Sequence, residues 1–203
     1  AGRNPGDRFL PFDFASPLTA CLALLAGWVL IGALGLLNPG SVAFAGRTLF
    51  PLGALCGLAL AVVAASSLGA PTEQAVLPIG LPDLPFHVRR DSLTSVFLVL
   101  LGGTATGISL FAAGYFRRGQ GTPPGLLCLR YHLFLASMGF VLLADDAYAF
   151  MVAWETMALS SYFLVTAQHR LPEIRSAGFL YLLMAHVGAI AILLSFGVMQ
   201  GGS

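Results

Sequence analysis

Six apolar runs, each about 19–25 residues long and parted by proline-, glycine- or charge-bearing turns, set the folds open to this chain. A run of that length crosses the roughly 30 Å hydrocarbon core of a bilayer. No water is present there to satisfy backbone N–H and C=O groups, so each spanning segment must be a helix. The runs are Leu18–Leu37, Thr48–Ala70, Leu93–Phe116, Leu126–Ala144, Ala147–Thr166 and Ser176–Gln200. They predict an all-α integral membrane protein with six transmembrane helices. Composition fits: 57% of the residues are hydrophobic and 9% are charged, where a soluble domain carries roughly 25% charged residues.

The first run exceeds the apolar core of a secretory signal, about 7–15 residues, and further spans follow it, so it reads as a transmembrane helix. The chain divides into residues 1–76, an amino-terminal segment with two leading helices; 77–92, an external link; and 93–203, four further helices. The link belongs to a proline-rich stretch, PTEQAVLPIGLPDLPFHVRRD, which predicts a short extended segment or hairpin at the surface, with His87 solvated. Asp91-Ser92 is placed to cap the third run. Gly53/Gly57 and Gly103/Gly107 each form a small-residue face suited to close helix packing.

Charge narrows the partners. A net charge of +1 leaves no electrostatic footprint for nucleic acid; the lipid bilayer is the expected surroundings. All ten basic residues are arginine. Arg3, Arg8, Arg89 and Arg90 fall on the amino-terminal side, against Arg47, Arg117, Arg118, Arg170 and Arg175 on the other. That asymmetry favours an external amino terminus. Cys21, Cys56 and Cys128 lie in separate apolar runs and form no metal or haem-attachment pattern, so they read as small buried hydrophobes.

One residue in the apolar runs is expensive. Glu155 sits near the middle of AYAFMVAWETMALSSYFLVT, where a carboxylate costs about 2.5–3.5 kcal/mol on insertion scales. Tyr148, Glu155 and Tyr162 are spaced by sevens and share one helical stripe. Counted at about 1.5 Å per residue from the turn near residues 170–171, His186 of the sixth run lies at the depth of Glu155. Counted from the Asp145-Asp146 turn, the small residues Ala136 and Ser137 face it. Arg130 lies ~9 Å nearer the opposite surface. His132 and His186 are offset in depth by ~6 Å, which disfavours a shared haem. His132 reads as a packing histidine.

Burial disfavours the ionised form of a carboxyl and a nearby cation favours it, so the two together poise an intramembrane acid to load and release a proton. The expected proton path is therefore Glu155 and His186, supported by Arg130, Tyr148, Ser160, Ser161 and Tyr162. No metal ligands and no cofactor of the chain's own are expected.

The segments RRDSLTSVFLVLLGG and AAGYF (89–116), LFLASMGFVLLADDAYAFMVAWETMALSSYFLV (133–165) and SAGFLYLLMAHVG (176–188) resemble the antiporter-like membrane subunits of respiratory complex I, Mrp antiporters and energy-converting hydrogenases. The nearest branch is the large membrane subunit of formate hydrogenlyase and component B of hydrogenase-4. The resemblance covers roughly residues 77–200. It implies proton translocation driven by an attached redox module, with other membrane and soluble subunits as partners and electron transfer confined to them. It also implies a bacterial cytoplasmic membrane, an external amino terminus and two inverted five-helix repeats. Glu155 falls on the family's helix-five glutamate. The chain departs from the pattern in having no lysine and in carrying an incomplete inverted repeat, ending before the family's broken helix. Two function classes result: a proton-translocating subunit, or a structural membrane anchor for a soluble oxidoreductase module.

Overall fold

The computed structural model describes residues 16–81, 84–115 and 122–201. Expectations for residues 1–15, and for Phe116, Arg117 and Arg118, lie outside these. Helix α1 (Pro17–Leu34) starts where Ser16 accepts a hydrogen bond from the Thr19 N–H at 3.2 Å, with Pro17 in the first turn. Proline suits that position because the first-turn N–H groups have no intrahelical partner. A 3₁₀ turn, Gly35–Leu37, ends the span.

The second span is one continuous helical path, begun by the single turn α2 (Val42–Phe44) and completed by α3 (Phe50–Ser66). Between them, Ala45–Leu49 form a π turn, and the Phe50 N–H bonds back to the Ala45 carbonyl. Pro51 accounts for the irregularity. It has no N–H to give the Arg47 carbonyl, and its ring would collide with that carbonyl in a regular α-helix. The sequence places the start of this run at Thr48; the structure winds it from Val42, because the π turn absorbs the proline.

Strands β1 (Glu73–Leu81) and β2 (Leu84–Arg90) pair antiparallel, with Glu73 opposite Arg90 and Leu77 opposite Phe86. The register shifts between Leu77 and Gly80, and Gly80 takes φ +121°, a conformation open to glycine without steric cost. The link is thus a hairpin. His87 is not simply solvated: its N–H donates to Asp146 Oδ2 at 2.8 Å, and its Nδ1 lies 3.4 Å from the same carboxylate.

Four long helices follow: α4 (Ser92–Tyr115), α5 (Pro124–Leu143), α6 (Ala147–Val165) and α7 (Pro172–Gly201). The last starts at Pro172, a turn before the expected Ser176, since proline is favourable at a helix start. Asp91 caps α4 by accepting from the Thr94 N–H at 2.8 Å, and Asp146 caps α6 by accepting from the Ala149 N–H at 2.7 Å. Among the described residues, five spans are long and apolar enough to cross a membrane: Pro17–Leu37, Val42–Ser66, Ser92–Tyr115, Pro124–Leu143 and Pro172–Met199. Helix α6 is not among them. Its 19 residues suffice in length, but Glu155 and its hydroxyl-bearing neighbours lower its apolarity.

The helices run alternately up and down. The Glu73 carboxylate accepts from the Leu18 N–H at 2.7 Å, and Val88 bridges Ala144, so the hairpin, the start of α1 and the α5–α6 turn share one end. At the opposite end the Gly125 N–H donates to the Pro39 carbonyl at 3.0 Å and the Thr122 N–H to Ala167 at 3.2 Å. Helices α1, α3, α4 and α5 form the core, α6 lies on α5, and α7 packs on α6.

At the hairpin end, Arg90 is fully buried. Its guanidinium donates to the Ser67 and Pro71 carbonyls and to Ser95 Oγ at 3.1–3.2 Å, and it pairs with Glu73 at 3.3 Å. In the membrane interior, Trp28 Nε1 donates to the Gly53 carbonyl at 3.0 Å. The fully buried His132 ring lies directly on Gly53, and Gly57 packs backbone to backbone on Gly102. The Gly53/Gly57 face is therefore a packing face. Gly103 and Gly107 are not: both face open space, and Gly102, one residue back, makes the contact instead.

Any Cβ at position 53 collides with the His132 ring. Gly53→Ala is expected to destabilise the protein by about 1–3 kcal/mol, the usual cost of overpacking. A melting point in detergent lowered by several degrees would be the readout; an unchanged one would mean that the ring moves aside freely.

The Thr94 N–H holds the Asp91 carboxyl below its usual range, so its neutral form is disfavoured in the fold. The stability this adds is complete above the ordinary carboxylate range and is lost as pH falls through and below it. Asp91→Asn should flatten that acid-side loss of melting temperature.

Candidate functional site

The polar groups of α6 and α7 meet along an antiparallel seam. Near its lower end Gly178 lies against Thr166 and Tyr162, where a side chain would hold the helices apart. Further along, the Tyr181 hydroxyl donates to Ser161 Oγ at 2.8 Å. Then come Glu155 and His186, with Oε2 and Nε2 3.7 Å apart. Ala189 is buried in the seam, and Phe150 and Phe196 meet edge to face at 5.7 Å near the far end. The depth count from the turn thus places the acid and the imidazole as the structure does.

The His186 tautomer follows from its other contact. Nδ1 lies 2.9 Å from the Leu182 carbonyl, which can only accept, so Nδ1 carries the hydrogen. In the neutral ring Nε2 is then a bare acceptor turned toward Glu155. At 3.7 Å the two are within ion-pair range but beyond a direct hydrogen bond. A small closing motion or one bridging water would close that gap.

Glu155 is 36% and His186 48% exposed on the side chain. Their open side faces outward from the bundle. Of α7, only Gly178 and Ala189 are buried among the residues whose side chains are described.

The other expected site residues scatter. Tyr148 packs edge-on against Phe86 of the hairpin at 5.3 Å, so it fastens the start of α6 rather than serving the acid. Tyr162 lies beside Phe163 and near Gly178. The buried Ser160 hydroxyl bonds back to the Thr156 carbonyl at 2.8 Å. Arg130 turns toward the end of α6: Nη1 donates to the Phe163 carbonyl at 3.2 Å and to Thr122 Oγ1 at 3.3 Å, and its guanidinium lies 5.1 Å over the Phe163 ring. It caps a helix end, as cations do near helix carboxyl termini. Ser137 bonds back to the Leu133 carbonyl at 2.6 Å. Of the supporting set, Ser161 joins the seam through Tyr181 and Tyr162 through its contact with Gly178. Tyr181 was missed by sequence reasoning, although the same count from the turn sets it near Ser161. Trp154 Nε1, next to Glu155, is buried with no hydrogen-bond partner among the described residues.

Known proteins share this arrangement of helices. No protein-family model matches the chain. Component B of hydrogenase-4 from Escherichia coli is 34% identical over 112 residues, covering 55% of this chain and 16% of that protein. Subunit L of the Mycobacterium tuberculosis NADH-quinone oxidoreductase is 28% identical over 200 residues, covering 88% and 31%. The chain is a homologue of hydrogenase-4 component B and of NADH-quinone oxidoreductase subunit L. An uncharacterised protein of Mycobacterium tuberculosis is 36% identical over 152 residues, covering 72% of this chain and 23% of its own length. In fold, a chain of the membrane-bound sulfane sulfur reductase, an archaeal respiratory membrane complex, superposes with a TM-score of 0.69 at 18% identity, covering 93% of this chain and 28% of that one. The chain spans less than a third of the length of each of these relatives.

Ser161→Ala and Tyr181→Phe remove the same hydrogen bond from opposite sides. Each is expected to lower stability by about 0.6 kcal/mol, the average for such bonds between membrane helices, and the double variant by no more than either alone. A double-mutant cycle on melting temperature checks this, and additive losses would place the two hydroxyls in separate contacts.

Proposed function

We propose that this chain carries part of a proton path across the membrane, within a multisubunit redox complex of the hydrogenase or NADH dehydrogenase type. The observation that carries the reading is the facing of Glu155 and His186 from two antiparallel helices, well inside the apolar runs. Intramembrane acids paired with titratable partners mark proton relays. The acid is held by one helix and the base by the next, so small seam motions change their separation. Homology to hydrogenase-4 component B and NADH-quinone oxidoreductase subunit L supports the setting in a redox complex. On this reading electrons pass in partner subunits and this chain holds no redox cofactor.

In the same reading α6 is the sixth span, inserted despite Glu155 because its polar groups face α7 and the rest of the complex. The open flank of α7 then meets further transmembrane helices. The hairpin end lies outside a bacterial cytoplasmic membrane, and the end bearing Arg47, Arg170 and Arg175 lies inside. The anchor reading draws on a different observation: the hairpin knot around Arg90 ties α1, α3 and α4 together at one end of the bundle.

Glu155→Gln separates the two. It is expected to lower proton uptake into vesicles by an order of magnitude or more while the subunits assemble at normal levels. Undiminished uptake with normal assembly would favour the anchor and overturn the proton path.

A further inference from the structure

A second feature lies on the opposite flank and is independent of the Glu155 seam. Helices α4 and α6 both pack on α5 and leave a cleft of about 220 Å³ between them. Ile108, Ala112 and Tyr115 of α4, Leu127 and Tyr131 of α5 and Leu164 of α6 line it, and every lining surface is apolar. The Tyr131 hydroxyl is tied to Ser109 Oγ at 3.0 Å. Ile108 and Tyr115 are 52% and 58% exposed, whereas Ala112 and Leu127 are 6% and 7% exposed. The cleft is thus a slot with a buried floor and open walls, at the end of the bundle away from the hairpin.

A cation stands beside it. Arg130 follows Leu127 and precedes Tyr131 on α5, and its guanidinium rests on Phe163, the neighbour of Leu164. Both hydrogen bonds it makes go to neutral acceptors, and among the described residues no carboxylate pairs with it. By reaching Thr122, just before the start of α5, it sets its charge near headgroup depth. Arg47, Arg170 and Arg175 share that end of the bundle.

We propose that this is a site for one anionic glycerophospholipid, with an acyl chain in the cleft between α4 and α6 and the phosphate on Arg130. Three features favour a lipid over a partner helix. Membrane helices dock closely through small residues, and the rim here is Ile108 and Tyr115. A flexible chain fills a narrow apolar slot that a helix about 10 Å across cannot enter. Basic groups between helices at the membrane edge bind acidic lipid headgroups.

The test uses the intact protein, purified with the subunits that accompany it and placed in phosphatidylcholine nanodiscs containing phosphatidylglycerol with a photoactivatable acyl chain. Cross-links should concentrate on Leu127, Tyr131 and Leu164. Ile108→Trp, placed at the exposed rim so that the fold is not at stake, should lower that labelling several-fold. Arg130→Gln should abolish the preference for retaining phosphatidylglycerol over phosphatidylcholine in native mass spectra, and Arg130→Lys should keep it. Labelling spread over open residues such as Leu30 and Leu183 in proportion to exposure would overturn the site, as would a partner subunit cross-linked in the cleft. Equal lipid preference in wild type and Arg130→Gln would overturn the headgroup assignment.

Discussion

The fold rests at one end on a fully buried guanidinium. Arg90 gathers the carbonyls that follow α3, the Ser95 hydroxyl of α4 and the Glu73 carboxylate of β1. Glu73 in turn accepts from the first turn of α1. A charge taken out of water is costly unless it is paired and hydrogen-bonded, and removing one partner from a buried pair costs about 3–5 kcal/mol. Each element that meets Arg90 is thus held to the position of the others. With β2 fixed by this knot, His87 and Val88 are delivered to the α5–α6 turn, where Asp146 both receives the His87 N–H and caps α6. The placement of Glu155 therefore begins with an arginine at the far end of the hairpin.

Within the bilayer the balance of forces differs. Lipid tails are as apolar as leucine, so burial against another helix gains little, and close packing with a few hydrogen bonds decides the contacts. The bundle follows that rule. Gly53 admits His132, Gly57 meets Gly102, and Gly178 lets α7 close on α6. Polar side chains in the seam either bond back to their own helix, as Ser160 does, or reach across, as Tyr181 does. His186 does both in part: Nδ1 bonds back to the Leu182 carbonyl, while Nε2 faces Glu155 at 3.7 Å, beyond a direct hydrogen bond.

Much of this was legible in the sequence because spans and turns obey simple rulers. Run lengths gave the helices, and counting residues from the turn brought Glu155 and His186 to one depth. The asparagine- and proline-bearing breaks and the Asp91 and Asp146 caps marked boundaries within a turn or so. Rotation about each helix axis was not legible. Depth counts say nothing of which way a side chain points, so they do not reveal that Arg130 turns to the end of α6 or that Tyr148 packs on Phe86. Gly103 and Gly107 matched a packing pattern as well as Gly53 and Gly57 did, and only tertiary packing separates them. The role of Arg90 was hidden for a related reason: a surface-loop arginine and a buried one read alike until their carbonyl partners are in place.

The π turn at Ala45–Leu49 has a consequence for the whole second span. One extra residue in a helical path advances everything beyond it by about 100°. The face that α3 presents to its neighbours is therefore not the face that Arg47 and Phe44 would dictate by regular periodicity. A proline two residues before Gly53 works as a phase shifter, turning the glycine onto the His132 ring. The two halves of this span are consequently free to satisfy different partners, the membrane edge on one side and the sealed interior on the other, without compromise between them.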